Sequence, residues 1–115
     1  MRIGHMELFV ADMVRARAFW EHGLGFEATD VQHGGRIVWL RLGDAQVLLR
    51  PGAGRAPAPY GAAGPALVLY SDDHDADLAR LRERGLVPDG DDGPGCATFR
   101  DPDGNWVQIV DPRHA

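Results

Sequence analysis

The chain contains no lysine, a single serine and a single cysteine among its 115 residues, and no apolar run approaches the length of a membrane span. Each shortage removes a class of function. All 12 basic residues are arginine, a pattern that fits GC-rich coding, and they face 17 acids for a formal charge of -5. Nucleic-acid phosphates need a basic face that this balance does not supply, so no nucleic-acid partner is expected. A net negative surface instead favours a cationic small ligand. Ser71 stands where a helix cap is expected, which leaves a Ser-His-Asp hydrolase without a nucleophile. Cys96 cannot close an internal disulfide and follows a Gly-Pro-Gly turn into a strand, the setting of a structural thiol in a reducing cytosol. No basic-then-apolar leader opens the sequence, so a cytoplasmic location without a membrane partner is expected. The glycine-rich segments lack the strand-before, helix-after context of a phosphate or dinucleotide loop.

What is present is a duplication. A strand, a helix and a hairpin-rich run from His5 to Pro51 recur from Pro65 to Pro112, about 60 residues later. Hydrophobic residues at 44% and charged residues at 25% are ordinary globular values. A half of about 50 residues buries too little apolar surface to be stable alone, so pairing between halves or between chains is expected.

Ile3 to Val10 alternates as a strand, with Met6, Leu8 and Val10 on one face and His5, Glu7 and Phe9 on the other. Asp12 is placed to cap a helix whose Ala16, Phe19 and Trp20 share a stripe. Strands follow at Glu27 to Gln32, Arg36 to Leu42 and Gln46 to Arg50, joined by His33-Gly34-Gly35 and Gly43-Asp44 turns. Arg36 to Leu42 is apolar on both sides, which leaves the face of Trp39 open.

The segment from 52 to 64 is rich in Gly, Ala and Pro and lacks a period, as a linker or a lid between halves; Tyr60 is its candidate ligand contact. Beyond it, Ala66 to Tyr70 forms a strand and Ser71 or Asp72 caps a helix. That helix carries its acids early, its arginines late, and Leu78 and Leu81 on its apolar stripe. Strands at Val87 to Asp89, Cys96 to Arg100 and Trp106 to Val110 complete the half. Asp101-Pro102-Asp103-Gly104-Asn105 is a tight turn that puts Trp106, Gln108 and Val110 on one face of the last strand.

The duplicated pattern, the early His5, the Phe-Trp-Glu-x-Gly-Leu-Gly-Phe run and the Phe-x-Asp-Pro-Asp-Gly-Asn-x-x-x-Ile run resemble the vicinal oxygen chelate superfamily. This is the group of glyoxalases, extradiol dioxygenases and bleomycin-resistance proteins. The resemblance implies an α+β fold of two tandem βαβββ modules, 3–51 and 65–112, joined by a linker at 52–64 within one domain and curled as mixed sheets around a cup. Its enzymes mount up to four metal ligands from the first and last strands of the modules. By position these fall on His5, Val47, Pro65 and Gln108. Val47 and Pro65 have no lone pair to give and the Gln108 amide is a weak donor, so no metal or other cofactor is expected. If a divalent metal does bind, His5, Glu7 and Gln108 are its candidate ligands, although Glu7 is read first as an arginine partner or a solvated rim residue. His22, His33, His74 and His114 are read as solvated.

The function implied is that of a bleomycin-resistance-like binder, a homodimer that sequesters an antibiotic or an aromatic or amphipathic metabolite, with no catalytic residue. The candidate ligand contacts are His5, Glu7, Phe9, Trp39, Arg41 and Val47, followed by Leu49, Tyr60, Phe99, Trp106 and Gln108. Trp faces suit aromatic and cationic ligands. For Val47, Leu49, Leu67 and Leu69 the same apolar character serves a plain core. The alternative is a metal-dependent lyase, isomerase or oxygenase of the glyoxalase or dioxygenase kind that uses His5 and Gln108.

Overall fold

The computed structural model describes residues 1–56, 58–62 and 64–114, without the side chain of His114; Pro57 and Ala63 of the linker therefore lie outside the described residues. The chain divides into two compact units, Met1–Arg55 and Ala56–Ala115, each built on one four-stranded mixed sheet.

In the first unit β1 (Met6–Val10) lies parallel to β4 (Ala45–Pro51), and β3 (Ile37–Leu42) and β2 (Glu27–Gln32) follow antiparallel, giving the order β1-β4-β3-β2. β1 begins three residues later than its alternation suggests. Gly4 is a weak strand former and Ile3 buries nothing, at 96% exposure. Asp12 caps α1 (Met13–Arg17) as expected, its carboxylate accepting from the amides of Val14 and Arg15. The helix then widens into a π-helical segment, Ala18–Gly23. Phe19 and Trp20 are buried there, and Trp20 meets Phe26 edge-on at 5.5 Å. Pairing Met6 with Val47, Leu8 with Leu49, Val38 with Leu49 and Leu40 with Val47 puts all these side chains on one face. Together with Ala16 and the buried aromatics they form the unit's core.

The second unit repeats the topology. β5 (Ala66–Tyr70) is parallel to β8 (Trp106–Val110), with β7 (Cys96–Arg100) and β6 (Gly90–Asp91) antiparallel beyond. β6 is two residues long rather than a strand at Val87 to Asp89, because Pro88 has no amide hydrogen for the ladder and Val87 is 63% exposed. α2 (His74–Glu83) is capped by Asp73 rather than by Ser71 or Asp72. The Ser71 hydroxyl instead donates to Asp77, which also takes a bond from Arg80. The buried Asp101 carboxylate accepts from the amides of Asp103 and Asn105 and from the Asn105 side chain. Gly104, at φ 82, closes that turn and fixes the register of β8. No helix among the described residues is long and apolar enough to cross a membrane.

Candidate functional site

Each sheet has one face packed as core and one face opposite it, and the side chains of chemical interest stand on the second. In the first sheet that opposite face carries Glu7 and Phe9 from β1, Trp39 and Arg41 from β3, and Leu48 and Arg50 from β4. His5 precedes β1, yet its ring meets Trp39 edge-on, with centroids 4.7 Å apart. Its Nε2 lies 3.6 Å from the Glu7 carboxylate, and Glu7 accepts from the Arg50 guanidinium at 3.2 Å. That guanidinium also lies 5.5 Å from the centroid of Phe9, a cation-π contact that holds its head in place. Phe9 is nonetheless 49% exposed, and Arg41 reaches outward to Glu27 at 3.1 Å. The face is therefore an aromatic surface edged by anchored charges.

The second sheet's corresponding face is more closed. Trp106, Gln108 and Thr98 stand on it and are buried. The Trp106 indole N–H donates to the Ala58 carbonyl at 3.0 Å, and the Tyr60 ring meets Trp106 edge-on at 5.5 Å. The Ala58–Tyr60 segment is thus tied down onto this face. Arg100 stacks on the indole at 5.5 Å, and the Gln108 amide donates to Asp92 at 3.2 Å. Burial first, and the nearby negative charge of Asp92 after it, push the Tyr60 phenol above its ordinary range.

Of the residues singled out from sequence, His5, Glu7, Phe9, Trp39 and Arg41 gather on the first of these faces, and Tyr60, Trp106 and Gln108 on the second. The pairing also settles the side of Trp39, which lies opposite Leu48. Three candidates fall elsewhere. Val47 and Leu49 stand with Leu8 and Val38 in the core, at 2% and 0% exposure, and Leu48 takes the position assigned to Val47. Phe99 pairs with Val107 on the core side, and Thr98 faces Gln108 in its place. Val47, Leu48 and Leu49 are all buried, so β4 shows no alternation and only the ladder reveals which one points where. Likewise Pro65 precedes β5, where Ala66 and Val68 share the face of Gln108. His74 is bonded rather than solvated, its Nε2 donating to the Ile109 carbonyl at 3.1 Å. Asp92 and the Ala58 carbonyl lie in loops whose sequence gives no periodic signal, and they were not foreseen.

The donors near these faces are few. Among the described residues no three His, Cys, Asp or Glu side chains are grouped closely enough to hold a metal ion. Two depressions of 430 and 450 Å³ flank α2, the first lined by residues such as His74, Pro88 and Ala97, the second by Asp75, Leu78 and Arg82. None of the ligand contacts expected from sequence lines either.

Two repeated units, each a β1-β4-β3-β2-type mixed sheet with a helical connection after its first strand, define an α+β protein of tandem βαβββ modules. Residues 2–109 match the Glyoxalase/Bleomycin resistance protein/Dioxygenase superfamily, and the chain belongs to that family. Among solved structures it is similar to TnmS3, an antibiotic binding protein from Streptomyces sp. CB03234, at 30% identity over 96% of this chain and 98% of that one, with a TM-score of 0.63. It is also similar to a lactoylglutathione lyase from Agrobacterium tumefaciens, at 25% identity over 98% and 95% of the two chains, with a TM-score of 0.71. A fosfomycin resistance protein, FosX, from Listeria monocytogenes, complexed with manganese(II), shares the fold at 15% identity over 95% and 88%, with a TM-score of 0.76. No curated protein matches the chain.

Proposed function

We propose that the chain is a small-molecule binding protein that sequesters an aromatic or amphipathic ligand, an antibiotic or a related metabolite, without a metal ion and without transforming it. The observation that carries this reading is the first sheet's non-core face, where Phe9 stays 49% exposed beside an edge-on His5–Trp39 pair and an anchored Arg50. Phe19, Trp20 and Phe26 of the same unit are buried, so packing gives no reason to leave the Phe9 and Trp39 surface open. Apolar area with a few fixed polar handles is the usual chemistry of a ligand site. The antibiotic-binding character of TnmS3, at 30% identity over nearly the full length of both chains, supports the same reading.

Donor chemistry supports the metal-free part. Leu48, Ala66 and Val68 stand on these faces without a lone pair to offer. The Gln108 amide is engaged with Asp92, and Glu7 is paired with Arg50. A catalytic metal generally needs three good protein ligands and an open position. The homodimer and the cytoplasmic location expected from sequence belong to this proposal, and light scattering on the purified protein tests the first.

The deciding experiment pairs elemental analysis with titration of aromatic antibiotics followed by Trp fluorescence. Saturable quenching, with stability equal in the presence and absence of chelator, is the expected outcome. Metal near one equivalent per chain, with a chelator-sensitive activity, would instead establish the lyase or oxygenase reading through His5, Glu7 and Gln108.

A further inference from the structure

We infer that the first unit carries a second binding site, at the turn between β2 and β3, for the oxyanion group of a small organic acid or phosphate ester. A cavity of 240 Å³ opens there, lined by His33, Arg36, Ile37, Arg50 and Pro51. Two guanidinium groups and an imidazole thus border one small space in a chain whose formal charge is -5. Converging like charges are unfavourable unless a counter-charge occupies the space they share.

The acids nearest in the sheet do not supply it for both arginines. Glu7 pairs with Arg50, and Asp30 accepts from Gln32 at 2.7 Å. The Arg36 side chain makes no hydrogen bond or ion pair among the described residues, and it lies exposed at the cavity. Arg50 is already oriented by Glu7 and by the Phe9 ring, so its remaining N–H groups are presented at little further entropic cost. Guanidinium forks match the geometry of carboxylate and phosphate oxygens, which accept two parallel bonds.

The backbone adds a second observation. His33 sits at φ 52, the one non-glycine residue with positive φ among the described residues, next to Gly34 and Gly35. Glycine would adopt that conformation without strain, whereas an imidazole kept there borders the cavity. Ile37 and Pro51 supply an apolar wall for the carbon part of the ligand. The volume is below that of sites for drug-sized molecules, so it suits a head group or a small acid. The cavity shares Arg50 with the aromatic face, but the two readings are separable, because this test uses probes without a ring and reads the amides of His33–Ile37.

The test is amide NMR titration of the intact chain with inorganic phosphate and, separately, with propionate, against sodium chloride at matched ionic strength. Saturable shifts confined to His33–Ile37 and Arg50 are expected for at least one probe. Saturation by phosphate alone assigns a phosphoryl group, and saturation by propionate alone assigns a carboxylate. Arg36→Glu should weaken binding by about tenfold or more, and Arg36→Gln by somewhat less, since each removes charge-assisted bonds from an exposed position. Shifts that match those in chloride, that scatter over the other arginines, or that survive both substitutions would overturn the proposal.

Discussion

Replacing Trp106 by Phe removes one hydrogen bond and part of a buried ring. The ring remains to meet Tyr60 and Arg100, but the N–H that ties the Ala58 carbonyl at 3.0 Å is gone. Ala58 is half-buried, so its carbonyl can recover a bond to water, and the loss is that of an ordinary hydrogen bond, about 1 kcal/mol. The smaller ring leaves a void at a position only 7% exposed, adding roughly another 1 kcal/mol. For a chain of this size a total of about 2 kcal/mol lowers Tm by about 8 °C. Thermal unfolding by circular dichroism measures that shift, and hydrogen exchange supplies the local readout. The Ala62 amide, which donates to the Pro59 carbonyl at 2.9 Å, should lose protection well before the amides of β8. A Tm within about 1 °C of wild type, with Ala62 exchange unchanged, would refute the claim that the indole fastens the linker.

Other perturbations test other links. In Gly52→Ala the new Cβ would stand 2.6 Å from the Phe9 Cβ, an atom fixed to the backbone of β1; a loss of about 1–3 kcal/mol in urea unfolding is expected, and a neutral result would mean that β1 yields freely. Asp101→Ala removes a buried carboxylate that caps two amides of the last turn, and should cost about 3 kcal/mol with the largest loss of exchange protection in β7 and β8. The Ser71 hydroxyl first, then Arg80, hold the Asp77 carboxyl below the usual carboxylate range against an opposing effect of burial. Its stabilisation is therefore fully present above the unfolded-state value of about 4 and fades as pH falls toward the lower folded value. Asp77→Asn should flatten that acid limb, and an unchanged slope between about pH 4 and pH 2 would contradict the assignment.

Most of the framework was legible because strands carried turn chemistry at their ends. Glu27 to Gln32, Ala66 to Tyr70, Cys96 to Arg100 and Trp106 to Val110 occupy the spans their sequence implies, each with Gly, Pro or Asp within two residues of both ends. The faces of the candidate residues were legible on β1 and β8, where polar and apolar residues alternate or a turn pins the register. They were not legible on β4 and β7. Val47-Leu48-Leu49 is apolar throughout, and Ala97-Thr98-Phe99 is buried throughout, so neither run declares its faces. A one-residue shift moved Val47, Leu49 and Phe99 from ligand contact to core. The π-helical segment at Ala18–Gly23 was equally invisible, because the same stripe of Ala16, Phe19 and Trp20 serves either helical geometry over so short a span.

The two sheets share a topology but differ in what their non-core faces are free to do, and this difference decides where a ligand should register first. On the second sheet the indole of Trp106 is bonded to the linker and covered by Tyr60, so contact with that ring requires displacing a built segment. On the first sheet Trp39 is half-buried and touched edge-on by His5, with its neighbour Phe9 open to solvent. Trp20 lies in the core at 1% exposure and cannot report on a ligand. Fluorescence quenching by an aromatic ligand should therefore originate at Trp39: Trp39→Phe should abolish most of the quenching amplitude, whereas Trp106→Phe should keep it. If the Trp106 variant loses the signal and the Trp39 variant does not, ligand binding opens the linker, and the exposed face of the first sheet is not the primary contact.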